Sequence, residues 1–389
     1  MYYLFGAVNF TLLLWVMIAE IIGVLKQILD DKYDFYAISL LPTMVASVFL
    51  DLVFIFRSSD LYEINVMIKE ITKFSFEYSP EVSSREFGRY WRHAEYCLRF
   101  LIIAIGTAVF ITDSVSYYEY FHAYPDVDYG QLHLIFSSVT FGLDKEAHFW
   151  LIKYIQLIPC YAMLITLSSA YAVPLVLCTL VQGQIVVLTN SFLRIPLNES
   201  GIDMTRVYGF HPESRSFHGR KKPRKSIQQE TNSNEVQLKD CIIHHQLIYR
   251  LTKKTKSVMA PFIFIIIFGN IFAAANLTIA AASNSKNSAH PKIMLLVQLF
   301  NLLFSFHLIA AYVENLRHKF SQVGFAAYSI YNDDPSNGKS IWTIITRANR
   351  EEKFPFIISC SFTFRSVRTI LELLWNYYIL CKSTVARQS

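Results

Sequence analysis

Apolar residues run in seven long stretches, roughly 2–25, 36–56, 98–112, 150–188, 261–282, 293–313 and 362–381, separated by polar segments. Most are long enough to cross the apolar core of a bilayer, so an all-α polytopic membrane protein with seven spans is expected. Two polar segments keep a helical rhythm. Leu61, Ile64, Met67, Ile68 and Ile71, and again Cys241, Leu247, Ile248 and Leu251, fall at helical spacing among charges. The flanking spans are therefore predicted to continue as helices into the adjoining solvent over 61–76 and 236–259. Residues 199–234, rich in Ser, Arg and Lys and with Pro212 and Pro223, read as a flexible loop. The turn cluster at 332–338 divides two predicted short helices, 314–331 and 339–349.

Charge orients this pattern. Arg57, Lys69, Lys73, Arg85, Arg89 and Arg92 follow the second span, while the loop after the third holds Asp113, Glu119, Asp126, Asp128, Asp144 and Glu146 against the single clear base Lys145. The loop after the fourth span is the most basic, and Arg317, Lys319, Lys339, Arg347, Arg350 and Lys353 follow the sixth. Positive charge marks the cytoplasmic side, so the amino terminus is expected inside and the carboxyl terminus outside. A G-protein-coupled receptor has the reverse arrangement. The basic run 219–226 reads as a positive-inside loop rather than as a lipid or kinase site.

The composition agrees: 53% of the 389 residues are apolar and only 17% charged, and the net charge of +6 lies in the inner loops, so nucleic acid is not an expected partner. No cleavable signal peptide is expected, because the first apolar run begins at the start of the sequence given. The long acidic outer loop has no cysteine, so no extracellular disulfide framework is predicted. The glycosylation-type triplets at Asn9, Asn198 and Asn276 fall within spans or at the start of an inner loop and should stay unmodified.

Candidate chemistry is sparse. Cys241 and His245 are four apart but lack further ligands, so no metal and no cofactor are expected. Glu20 and Asp51 lie inside spans, where an ionisable residue is a functional suspect, but read rather as caps, as polar contacts between helices or as residues near a span end. Arg365, Arg368 and Glu372 make the last span poorly lipophilic, and Arg368 and Glu372 can pair on one face. No phosphate-binding glycine loop, nucleophile elbow or paired metal-hydrolase motif occurs, so an enzyme is not expected. Pro42, Pro159 and Pro174 lack the paired placement of a transporter built from repeats.

The carboxyl-terminal half resembles the insect odorant receptors. Residues 238–248, with Cys241 one turn before His245, look like the family's helix ahead of the fifth span. Residues 313–317 and the Ala-Ala-Tyr-Ser at 326–329 resemble its stretch after the sixth, and 341–356, with Arg347 and Pro355, its helix before the last span. Residues 369–380 are similar to the family's closing Ser-Tyr-Ser-Tyr-Phe-x-Leu-Leu run, with Trp375 and Asn376 where Tyr and Ser are usual. Family members usually carry tens of residues before the first span. The Thr-Tyr and Gln-Phe signature of the related gustatory receptors is absent.

The resemblance implies a tuning subunit of a tetrameric, odorant-gated, non-selective cation channel, built with a co-receptor subunit in the plasma membrane of olfactory neuron dendrites. Its partners would be the co-receptor, a volatile odorant, the bilayer and permeating cations. A gustatory or pheromone receptor channel, and then a metabotropic seven-helix receptor, are the alternatives. It implies spans 1–4 with the odorant pocket over 1–188, an inner loop and anchor helices over 189–260, spans 5–6 over 261–313, further anchor helices over 314–360 and a pore-lining span over 361–389. Carried onto the closing run, the gate falls at Leu380, or at Ile379 with a shift of one, with Thr384 as the next ring outward and Ser383 between. The pocket lies in the outer halves of four spans. Depth and helical face select Thr43 and Ser47, Ile103, Gly106 and Phe110, Tyr161 and Ile165, and Met294, Val297 and Gln298.

Overall fold

A computed structural model describes residues 2–29, 35–123, 134, 136, 139–193, 195, 227–283, 290–331, 338–349, 355–357, 360–361, 368–373, 375–377, 379–380 and 383. Seven helices account for most of them: α1 Tyr2–Leu29, α2 Phe35–Tyr78, α3 Pro80–Ala123, α4 Lys145–Phe192, α5 Ile227–Ser283, α6 His290–Tyr331 and α7 Gly338–Asn349. A short antiparallel strand pair follows, β1 Pro355–Ile357 and β2 Cys360–Ser361, and the described part of the last span is helical. Among the described residues, four helices are long and apolar enough to cross a membrane; they correspond to the first, second, fourth and fifth expected spans. The third and sixth lie within α3 and α6.

The helices are longer than a bilayer requires. The 44 residues of α2 extend about 66 Å at the usual rise, roughly twice an apolar core of about 30 Å. As the apolar rhythm predicted, α2 runs unbroken through 61–76 and α5 through 236–259. Three expectations are corrected. Residues 314–331 form no separate helix but complete α6, whose buried Leu316, Phe320, Val323, Ala327 and Ile330 extend the stripe of the span without a breaker. Residues 227–234 belong to α5 rather than to a loop. Asp113 and Glu119, expected in the acidic loop after the third span, lie in α3, which stops at Ala123.

Between α2 and α3 only Ser79 leaves the helical path. Pro80 opens α3 where its missing N–H costs nothing, and the Ser75 carbonyl accepts both the Ser79 amide (3.0 Å) and the Ser83 hydroxyl (2.8 Å), which ties the two helices across the break.

One hydrophobic core joins α2, α4, α5, α6 and α7. The packing of α2 on α5 is the most extensive and α4 is the most buried column. In the helical extensions, burial of Ile64, Ile71, Leu238, Ile248, Leu251, Ile341 and Ile344 removes apolar surface from water, worth about 1.5–3 kcal/mol for each side chain. Within the spans lipid is as apolar as leucine, and close packing with polar contacts must hold the helices instead.

Candidate ligand and pore sites

At the end of α4 facing the acidic loop, Asp144 caps the helix by accepting from the Glu146 amide (3.1 Å). The preceding turn puts Phe141 and Gly142 at φ of 55° and 76°. Phe141 is held in that strained conformation by stacking on Trp15 of α1, ring centroids 5.5 Å apart. Gln156, buried in α4, ties down the residues before it. Its Oε1 accepts from the Phe136 amide (3.0 Å), and its Nε2 donates to the carbonyls of Phe136 and Val139 (2.7 Å each). Phe136 and Val139 thereby close over Val16, Met44 and Cys160. One turn away the fully buried Lys153 sets its ammonium 3.6 Å from the Tyr117 ring centroid, beside Trp150.

The pocket candidates are distributed around this end. Ser47 is buried and donates to the Thr43 carbonyl (2.9 Å), so Thr43 and Ser47 share one face of α2. Ile103 and Phe110 on α3, and Tyr161 and Ile165 on α4, are exposed on the isolated chain, and Gly106 is half-buried. Met294, Val297 and Gln298 lie in α6 with side chains outside the described residues. Of those whose side chains are described, Ile165 alone lines the cavity of about 670 Å³ described next.

That cavity lies farther along the bundle, between α1, α2 and α4. Its polar corner is a triad: Asn9 Nδ2 donates to Asp51 Oδ2 (2.7 Å) and to Thr166 Oγ1 (2.8 Å), and Thr166 Oγ1 donates to Asp51 Oδ1 (2.8 Å). Asp51 is thus a contact between helices, as its place in a span suggested, and Asn9 is buried. Glu20 is fully buried in α1.

The helical extensions hold a second polar layer. His244 of α5 bonds Gln184 of α4 (3.0 Å), whose Nε2 donates to Thr72 of α2 (3.0 Å). Burial, with the neighbouring His245, pulls His244 down to about 3; burial, with Arg347, pulls His245 down to about 4. Burial, with Asp240, pushes the Cys241 thiol up to about 12, so it is a neutral packing group rather than a thiolate ligand. On the α2–α5 surface Lys254 bonds Asp60 (2.7 Å) and Glu63 (2.8 Å), and together with Arg57 holds the Asp60 carboxyl below its usual range. Arg347 of α7 lies over Tyr249, 5.2 Å from the ring centroid.

In the last span Ile379 and Leu380 are exposed on the isolated chain, Ser383 donates to the Leu380 carbonyl (2.8 Å), and Arg368 pairs with Glu372 (2.7 Å). Thr384 and Arg365 lie outside the described residues. Reasoning from sequence missed Lys153, Gln156 and the partners of Asp51. Lys153 carried the signal of an ionisable residue within an apolar run; Asn9 and Thr166 meet across 157 positions and carried none.

The fold has known counterparts. The olfactory receptor OR5 of the insect Machilis hrabei superposes with a TM-score of 0.65 at 12% identity, covering 96% of this chain and 87% of that one. The structure of OR5 with eugenol gives the same score and identity, with 97% and 88% covered. No curated protein matches the chain in sequence. The 7tm Odorant receptor family profile matches residues 35–373, most of the chain, and the protein belongs to that family.

Proposed function

We propose that this protein is the odorant-tuned subunit of a ligand-gated, non-selective cation channel, assembled with the odorant receptor co-receptor in the plasma membrane of olfactory neuron dendrites. The observation that carries the reading is family membership across residues 35–373. The likeness of nearly the whole chain to a receptor determined with eugenol supports a small volatile organic ligand. The alternating basic loops support an amino terminus inside and a carboxyl terminus outside.

In this reading the odorant enters the outer halves of α2, α3, α4 and α6. Thr43, Ser47, Ile103, Gly106, Phe110, Tyr161, Ile165, Met294, Val297 and Gln298 are the proposed contacts, with Thr43, Tyr161 or Gln298 able to donate to an ester, alcohol or ketone oxygen. The extensions of α2, α5 and α6, with α7, act as the anchor where subunits meet. The last span lines the pore, Leu380 or Ile379 forming a dewetting ring and Ser383 and Thr384 a polar path outward. Odorant opens the pore by binding the open state more tightly than the closed one.

The test is whole-cell current from cells expressing the chain with and without the co-receptor, under G-protein block, against volatile esters, alcohols, aldehydes and terpenes. Current that requires both subunits and survives the block is expected. Current abolished by the block would overturn the channel reading in favour of a metabotropic one.

A further inference from the structure

Apart from Ile165, the lining of the cavity between α1, α2 and α4 is given no role by the odorant-channel reading. Its apolar wall includes Phe54, Ile55 and Leu61 of α2, and Asp51 stands at one end. Met44 belongs to the layer closed by Phe136, and Asp51 is seven residues beyond it, about 10 Å deeper into the bundle at the usual rise. From Asp51 to Leu61 the wall extends about 15 Å farther. The volume of about 670 Å³ is that of a small-molecule site, for which roughly 300–1,000 Å³ is usual.

The hydrogen bonds of the triad surround the carboxyl at its head with neutral partners. Asn9 Nδ2 donates to both Asp51 Oδ2 and Thr166 Oγ1, which leaves the single Thr166 proton for Asp51 Oδ1. Two neutral donors on the two carboxyl oxygens favour the ionised side chain, while burial opposes it. Asp51 is 7% exposed and both of these donors are neutral. Among the described residues no basic side chain forms an ion pair with it. A carboxylate buried at such depth is costly until a cation offsets the charge. Ile165, in the fourth span, lines the cavity and is 47% exposed on the isolated chain, and Tyr62, in the helical extension of α2, is 71% exposed, so the mouth opens at the surface of the bundle from the span to its solvent end.

We propose that this cavity binds a protonated amphiphilic amine drawn from the membrane, with its ammonium on Asp51 and its hydrocarbon tail along Phe54, Ile55 and Leu61. Such a ligand would join α1, α2 and α4 through the residue that already links them. Ile165 is shared with the proposed odorant contacts, but the ammonium site on Asp51 is not, and it does not depend on odorant.

The experiment is thermal unfolding of the full chain in phosphatidylcholine nanodiscs with n-octylamine, n-octanol or octanoate at equal membrane concentration. Octylamine should raise the midpoint saturably, and octanol and octanoate should not. Asp51→Asn should weaken the octylamine effect about tenfold or more, the loss of one ion pair. Ser169→Phe, which fills the cavity and keeps the carboxylate, should abolish it, and this variant carries the test if Asp51→Asn does not fold. Equal stabilisation by octanol, or an octylamine effect unchanged in either folded variant, would overturn the proposal. So would stabilisation by sodium over N-methylglucamine that matches octylamine and is lost in Asp51→Asn, since the site would then hold an inorganic cation. The readout needs no odorant, co-receptor or current, so its failure leaves the channel reading untouched.

Discussion

Gly269 of α5 approaches Ala46 of α2 so closely that a Cβ built on the glycine would stand 2.6 Å from the alanine Cβ. This contact lies within the spans, in the most extensive helix pairing of the fold. There the helices gain by bringing backbones together.

Gly269→Ala should therefore destabilise the protein by about 1–3 kcal/mol through overpacking, read as a lower unfolding midpoint of the purified protein. Ala46→Gly in the same chain should restore most of the loss, because the remaining neighbours of the new methyl group, the Pro42 carbonyl and Ala46 Cα, stand at 3.8 and 4.0 Å. Equal destabilisation by the single and double variants would contradict the packing argument.

The buried histidines predict acid sensitivity in the helical extensions. Unfolded imidazoles take up protons below about 6.5, whereas His245 and His244 resist until about 4 and about 3. The unfolded state thus binds more protons across that window. Stability is complete above pH 6.5 and falls as the solution is acidified, by up to about 1.4 kcal/mol per pH unit for each imidazole. Unfolding midpoints measured from pH 7.5 to pH 5 should decline, and His244→Gln should flatten the decline. A midpoint indifferent to pH would show that the pair is not held neutral.

Gln184 joins three helices through His244 and Thr72. Gln184→Leu leaves two polar groups without this partner and should cost about 1–3 kcal/mol, whereas the same change at the exposed Gln246 should be nearly silent. Comparing the two unfolding midpoints separates a lost network from a general effect of leucine.

Gln156 alone makes three bonds to the backbone of Phe136 and Val139. Gln156→Ala should release that segment from α4, and hydrogen exchange at the Phe136 amide should quicken by about tenfold or more. Unchanged exchange would mean that the aromatic contacts of Phe136 and Phe141 hold it without the glutamine.

The parts of the fold legible in the sequence were those written as periodicity. Ile64, Ile71, Cys241, Ile248 and Leu251, spaced as one helical face, are buried as that spacing requires, because each helix repeats its own pattern over many turns. The end of α3 and the length of α6 were misread because charge at Asp113, Glu119 and Glu314 resembles a boundary, while a helix leaving the membrane meets no backbone reason to stop. The triad of Asn9, Asp51 and Thr166 and the hold of Gln156 on Phe136 join residues from different elements, and no local spacing encodes them.

The most direct test of the central claim is external thiol modification of Leu380→Cys in channels formed with the co-receptor. In the proposed channel this side chain stands in the ion path, so a charged, membrane-impermeant methanethiosulfonate should reduce odorant-evoked current without recovery on washing, and faster when odorant is present. Current that persists while biochemical labelling shows the introduced cysteine modified would contradict the claim that this chain lines the pore.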